Sequence, residues 1–107
     1  MLRFALLPLA FLFAMALPAL ADRIDGGWCS EDGMKRLHIE GPTIEIPSGR
    51  KITGVYSRHD FSYTGPEGDP EQGQEIRMVL QSEEHMIVYR STVPDGFEHW
   101  HRCQVTS

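Results

Sequence analysis

From Gly26 onward the chain reads as short runs in which apolar and polar positions alternate, each run ended by turn residues. In 34–40, Leu37 and Ile39 alternate with Arg36, His38 and Glu40; in 43–46, Ile44 and Ile46 share a face; in 75–81, Ile76, Met78 and Leu80 do. A period of two over four to eight residues is the mark of a half-buried strand. Further runs fall at 51–57 (Ile52, Gly54, Tyr56), 59–64 (His59, Phe61, Tyr63), 85–90 and 97–104, with Trp28 and Cys29 in the first strand. Asp32-Gly33, Gly41-Pro42, Pro47-Ser48-Gly49, Ser82-Glu83-Glu84 and Pro94-Asp95-Gly96 punctuate them with turn chemistry. Gly54 in mid-strand points to a bend or bulge. The stretch 65–73 has no strand character, and no run has the length or period of a helix.

This pattern predicts seven or eight strands with short connections, for which sequential antiparallel pairing is the default. The two cysteines, Cys29 and Cys103, stand in the first and last strands. A disulfide between them sets those strands side by side and turns the meander into a small up-and-down barrel, which also removes exposed edges. A curled open sheet and a small β-sandwich are the alternative architectures.

Composition agrees. Residues 1–21 carry Arg3, then an almost unbroken apolar run, then Pro18-Ala19-Leu20-Ala21, the three parts of a secretory signal peptide. The run is broken by Pro8 and Pro18 and is shorter than the ~20 residues of a spanning helix. The residue directly after Ala21 is Asp22 and not a cysteine, which argues against a bacterial-type lipid anchor. Cleavage after Ala21 takes 21 of the 107 residues and leaves 86, one domain covering 22–107. That domain has no Ala and only two Leu, Leu37 and Leu80, while β-branched and aromatic residues dominate. Only 26 of its 86 residues are apolar, so a staple is expected, and an oxidising exported location (periplasmic or secreted) permits one. Losing Arg3 leaves nine basic residues against fifteen acidic ones, a net charge of −6. So acidic a domain is a poor partner for nucleic acid or anionic membrane surfaces.

Strand parity ties the two ends together. Trp28 and Cys29 face opposite ways; Cys103 faces with His101, His99 and Phe97, while Arg102 faces with Trp100. A bridge on the outside therefore puts Trp28, Trp100 and Arg102 inside one end of the barrel, with the guanidinium free to stack on an indole. Gly26-x-Trp28 on the first strand, with Arg102 on the last, resembles the closing motif of the lipocalin (calycin) superfamily. The resemblance rests on four or five residues and implies an eight-stranded barrel with a ligand cavity at the far end. The chain is shorter than a typical lipocalin and has no C-terminal helix, so the resemblance bears on fold more than on ligand binding. Beyond the motif the chain resembles small exported bacterial β-domain proteins.

Candidate chemistry is sparse. His99 and His101, two apart on a strand, project to one face and offer two imidazoles to a Zn²⁺ or Cu²⁺ ion, with a third ligand to come from His38, His59, His85 or a carboxylate. Against this, two histidines alone do not make a native site. Ser57-Arg58-His59-Asp60 holds the residue types of a catalytic triad, but neighbours on a strand point apart, and no nucleophile motif is present. The acidic stretch around Glu67, Asp69, Glu71 and Glu75 lacks the ligand order of a calcium loop and reads as a solvated loop or a partner-binding one. Tyr56, Phe61, Tyr63, Met78 and Met86 are either core or the lining of a small-molecule pocket. The function expected is a non-catalytic exported binding module, a monomer without cofactor. Its partner is either a protein (an exported hydrolase under inhibition is one version) or a small apolar ligand, and metal handling through His99 and His101 is the alternative.

Overall fold

The structure, a computed structural model, describes residues 23–103. The expected signal peptide lies outside the described residues. Nine strands are present: β1 (Gly26–Ser30), β2 (Arg36–Glu40), β3 (Thr43–Glu45), β4 (Lys51–Thr53), β5 (Val55–Tyr56), β6 (Asp60–Thr64), β7 (Glu75–Ser82), β8 (His85–Arg90) and β9 (Glu98–Arg102). They form one antiparallel sheet in the order β4-β3-β2-β1-β9-β8-β7-β6-β5. The chain termini therefore meet in the middle of the sheet. Its two outer strands, β4 and β5, are consecutive in sequence and separated only by Gly54, so the sheet is nearly closed into a barrel.

Gly54 explains why nine strands stand where seven or eight were expected. A methyl group on it would collide with the Phe61 ring and the Ser62 carbonyl oxygen, so only glycine lets β5 lie this close to β6. Its N–H donates to the Pro42 carbonyl at 2.9 Å, one step beyond the Thr43–Thr53 pair of β3 and β4. One expected strand is thus split: β4 pairs with β3, and β5 with β6.

The alternation does what its period requires. Leu37 and Ile39 on β2, Ile44 on β3, Phe61 and Tyr63 on β6, Ile76 and Met78 on β7, Met86 and Val88 on β8, and Trp100 on β9 all turn inward. With Ile24, Trp28 and Ile46 they make a single buried cluster. The bridge forms between Cys29 and Cys103, whose Cα atoms are 5.0 Å apart. Beside it, β1 and β9 pair in register, Trp28 opposite Arg102 and Cys29 opposite His101.

Candidate functional site

Both ends of the barrel are plugged by side chains. At the base, Ile24 is wholly buried, and its N–H donates to the Arg58 carbonyl at 2.8 Å. Trp28 is also wholly buried, and its Nε1 donates to the Ile24 carbonyl at 2.8 Å. The Arg102 guanidinium lies 4.0 Å over the Trp28 ring. Its nitrogens donate to the carbonyls of Asp25 (2.5 Å), Arg23 (2.6 Å) and Glu83 (2.8 Å), which stitches three chain segments together. Gly26 has φ 116°, and a Cβ there would lie 2.8 Å from Arg102 Nη1, so this position demands glycine twice over. The Asp25 carboxylate accepts from Tyr56 Oη and from the Gly41 N–H at 2.9 Å. Burial would raise its pKa, but those hydrogen bonds outweigh burial and hold it below the usual carboxylate range. Gly26, Trp28 and Arg102 thus meet at this end, while Trp100, also buried, anchors the wall toward the other.

The opposite end is closed by the stretch after β6, which overturns its reading as a solvated loop. Asp69 and Glu71 are buried. Asp69 accepts from Ser48 Oγ and from the Glu71 N–H at 3.0 Å, and Arg50 Nη1 donates to the Glu67 carbonyl at 2.8 Å. Glu71 then reaches into the barrel mouth, where Tyr63 Oη donates to it at 2.6 Å and Arg90 Nη1 at 2.8 Å. Arg90 Nε donates in turn to Glu98 at 2.7 Å, and Glu98 accepts from Trp100 Nε1 at 2.9 Å. Burial first, then the hydrogen bond to Glu71, pushes the Tyr63 phenol well above its ordinary value. Burial alone would lower Arg90, but its two carboxylate partners more than compensate and raise it. Four acidic residues so close in sequence look solvated; what holds two of them inside is Ser48 for Asp69 and Tyr63 with Arg90 for Glu71, all on segments whose spatial relation to the loop no local pattern reveals.

This network carries a stability prediction. Arg90→Met should cost about 3 kcal/mol in urea unfolding, because it strands the Glu71 carboxylate without its cation. The double variant Arg90→Met with Glu71→Gln should recover part of that loss. A single variant within about 0.5 kcal/mol of the parent would show the network to be energetically idle.

Of the residues expected to line a pocket, Phe61, Tyr63, Met78 and Met86 belong to the buried cluster, and Tyr56 packs half-buried against it. Ser57-Arg58-His59-Asp60 forms a turn: Asp60 accepts from Ser57 Oγ at 2.9 Å and pairs with Arg77 at 3.1 Å.

The outer face of β8 and β9 is where exposed chemistry gathers. Parity sends His85, Ile87 and Tyr89 outward from β8, and His99 and His101 outward from β9; Phe97 precedes β9 on the same side. The rings form one continuous row. Tyr89 meets Phe97 at 6.1 Å between centres, Phe97 meets His99 at 5.4 Å, His99 meets His85 at 4.9 Å, and His85 meets His101 at 5.3 Å. Phe97 is 54% exposed, Tyr89 41% and the nearby Val93 51%. Beside the row runs a groove of about 470 Å³, lined by Phe97, His99, Glu31, Asp32 and Lys35 among others.

His99 and His101 do share a face, as parity requires, but His85 packs against both rings. Among the described residues no group of three or more His, Cys, Asp or Glu side chains is arranged to hold a metal ion. Sequence reasoning placed Phe97, His99 and His101 together but missed Tyr89 and the position of His85. Alternation within 85–90 marks both as outward-facing; their cross-strand neighbours depend on a register that a single strand does not disclose.

Comparison with protein-family models, with curated proteins and with solved structures finds no match to this chain.

Proposed function

We propose that this protein is a non-catalytic, exported binding module that docks a protein partner on the outer face of β8 and β9. The observation that carries this reading is the ring row Tyr89–Phe97–His99–His85–His101, with its Phe and Tyr rings left in solvent. Aromatic side chains are the commonest anchors of protein interfaces, and a small domain leaves such a patch uncovered at a cost in solubility unless something binds it. A protein partner is favoured over a small apolar ligand because Ile24 and Arg102 occupy one barrel end and Glu71 the other. The disulfide is compatible with an oxidising, exported environment.

A photo-crosslinking amino acid placed at Phe97, in the cells that produce the protein, tests the reading. Position 97 should yield a discrete protein adduct, whereas Val55, more exposed and on β5 away from the face, should not. Adducts at both positions or at neither would reject the β8–β9 face as the docking surface.

A further inference from the structure

The docking face contains an arrangement that simple exposure does not explain. His85 Nε2 and His99 Nδ1 stand 2.7 Å apart, with ring planes inclined by 18° and ring centres 4.9 Å apart. The contact is therefore edge to edge between nearly coplanar rings, with the two nitrogens facing each other. Such a contact is a hydrogen bond only while one nitrogen carries the proton and the other offers its lone pair. A proton added to one ring can sit on its far nitrogen and leave this bond in place. When both rings are cationic, each facing nitrogen carries a proton, the acceptor is gone and two cations stand against one another. His101 lies on the remaining side of His85, its plane inclined by 19°, so a third charge would join the same row.

Resting on the docking reading above, we propose that the row His99–His85–His101 is an acid-sensitive latch: closed while His85 or His99 keeps a lone pair at their contact, it holds Phe97 in its binding position, and protonation of both rings opens it and releases the partner. The link to Phe97 is direct, since the Phe97 ring meets the His99 ring edge-on at 5.4 Å with an 81° inclination and itself contacts Tyr89. Swinging His99 away removes the wall against which Phe97 rests.

The surrounding charges set the direction. From β9 the row meets only its own His99 and His101; from β7, Ser82 stands opposite His85 and carries no charge. From β1, Cys29 stands opposite His101 and is locked in the disulfide. Glu31, in the turn after β1, is the acid that favours a cationic His85, while Asp32 and Lys35 line the groove beside His99. Burial, followed by the charges of His99 and His101, prevails over Glu31 and holds the His85 imidazole below its ordinary value. With a depressed folded-state pKa, the neutral latch contributes its full stabilisation above about pH 6.5. That contribution is lost as pH falls below this value and through the pKa of folded His85.

The test is a histidine and aromatic NMR titration of the isolated, disulfide-bonded protein from about pH 8 to about pH 4.5. His85 should reach half-protonation below about pH 6.5, and the ring resonances of Phe97 and Tyr89 should shift with the same midpoint. In His85→Gln, which keeps a hydrogen-bonding side chain without the titration, the Phe97 and Tyr89 shifts should vanish, with the indole resonances of Trp28 and Trp100 reporting an intact barrel. A His85 midpoint at or above about 6.5, or unmoved Phe97 and Tyr89 resonances in the parent protein, would overturn the latch whether or not the variant folds. The adduct at position 97 should fall about tenfold between neutral and acidic pH. An adduct of equal yield at both would overturn the release step, and no adduct at either would overturn the docking reading, independently of the titration.

Discussion

Trp28→Ala is expected to abolish cooperative folding, or to leave a domain that melts near room temperature. Trp28 is wholly buried, and removing a buried Trp side chain costs about 3–5 kcal/mol. Small domains hold roughly 0.05–0.15 kcal/mol per residue in total, so the loss is comparable with the whole stability. Two further contributions go with the ring. The Ile24 carbonyl loses the Nε1 donor 2.8 Å away, and Arg102 loses the indole face beneath its guanidinium, an interaction worth about 0.5–2 kcal/mol. Trp28→Phe separates the causes: it keeps most of the apolar contact but leaves the carbonyl unpaired, for a loss of about 1–3 kcal/mol. Thermal unfolding followed by circular dichroism reads both variants. An Ala variant that melts like the parent protein would show that the base of the barrel is not held through Trp28.

The same residue shows how far the sequence could be read. Trp28 and Arg102 are 74 positions apart, yet each sits one residue before a cysteine, and pairing the cysteines fixes which strands meet and which side chains turn inward. Two-residue periodicity supplied the rest of the wall, so that Leu37, Ile39, Phe61, Met78 and Trp100 fall on the inner face as alternation requires. Local pattern failed where long-range geometry decides. Gly54 was legible as a bend, but not as the place where the barrel wall changes partner from β3 to β6. Glu71 reads as a surface acid in any window of its own neighbours; Tyr63 and Arg90 make its burial tolerable, and they come from strands on either side of β7. His85 was one of three histidines open as a neighbour for His99, and only the β8–β9 register selects it.

Opening the disulfide is the second large perturbation, and its effect should differ in kind. The bridge closes a loop with a sequence separation of 74, for which the chain-entropy relation gives about 4.5 kcal/mol as an upper figure and about 2 kcal/mol as a modest one. At ~4–8 °C per kcal/mol for a domain of this size, the melting temperature should fall by about 8 °C or more on reduction or in the double variant Cys29→Ser, Cys103→Ser. The fold itself should survive at low temperature, because the β1–β9 register already places Trp28 opposite Arg102 and Cys29 opposite His101 without help from the sulfurs. The stabilisation acts mainly on the unfolded chain, whose ends the bridge keeps together. Backbone hydrogen exchange distinguishes this from the Trp28 variants: reduction should weaken protection first in β1 and β9, where the barrel seam relies on the tether, and last in the β6–β7–β8 meander. Identical melting with and without reductant would mean that the two thiols are not bridged in the folded protein.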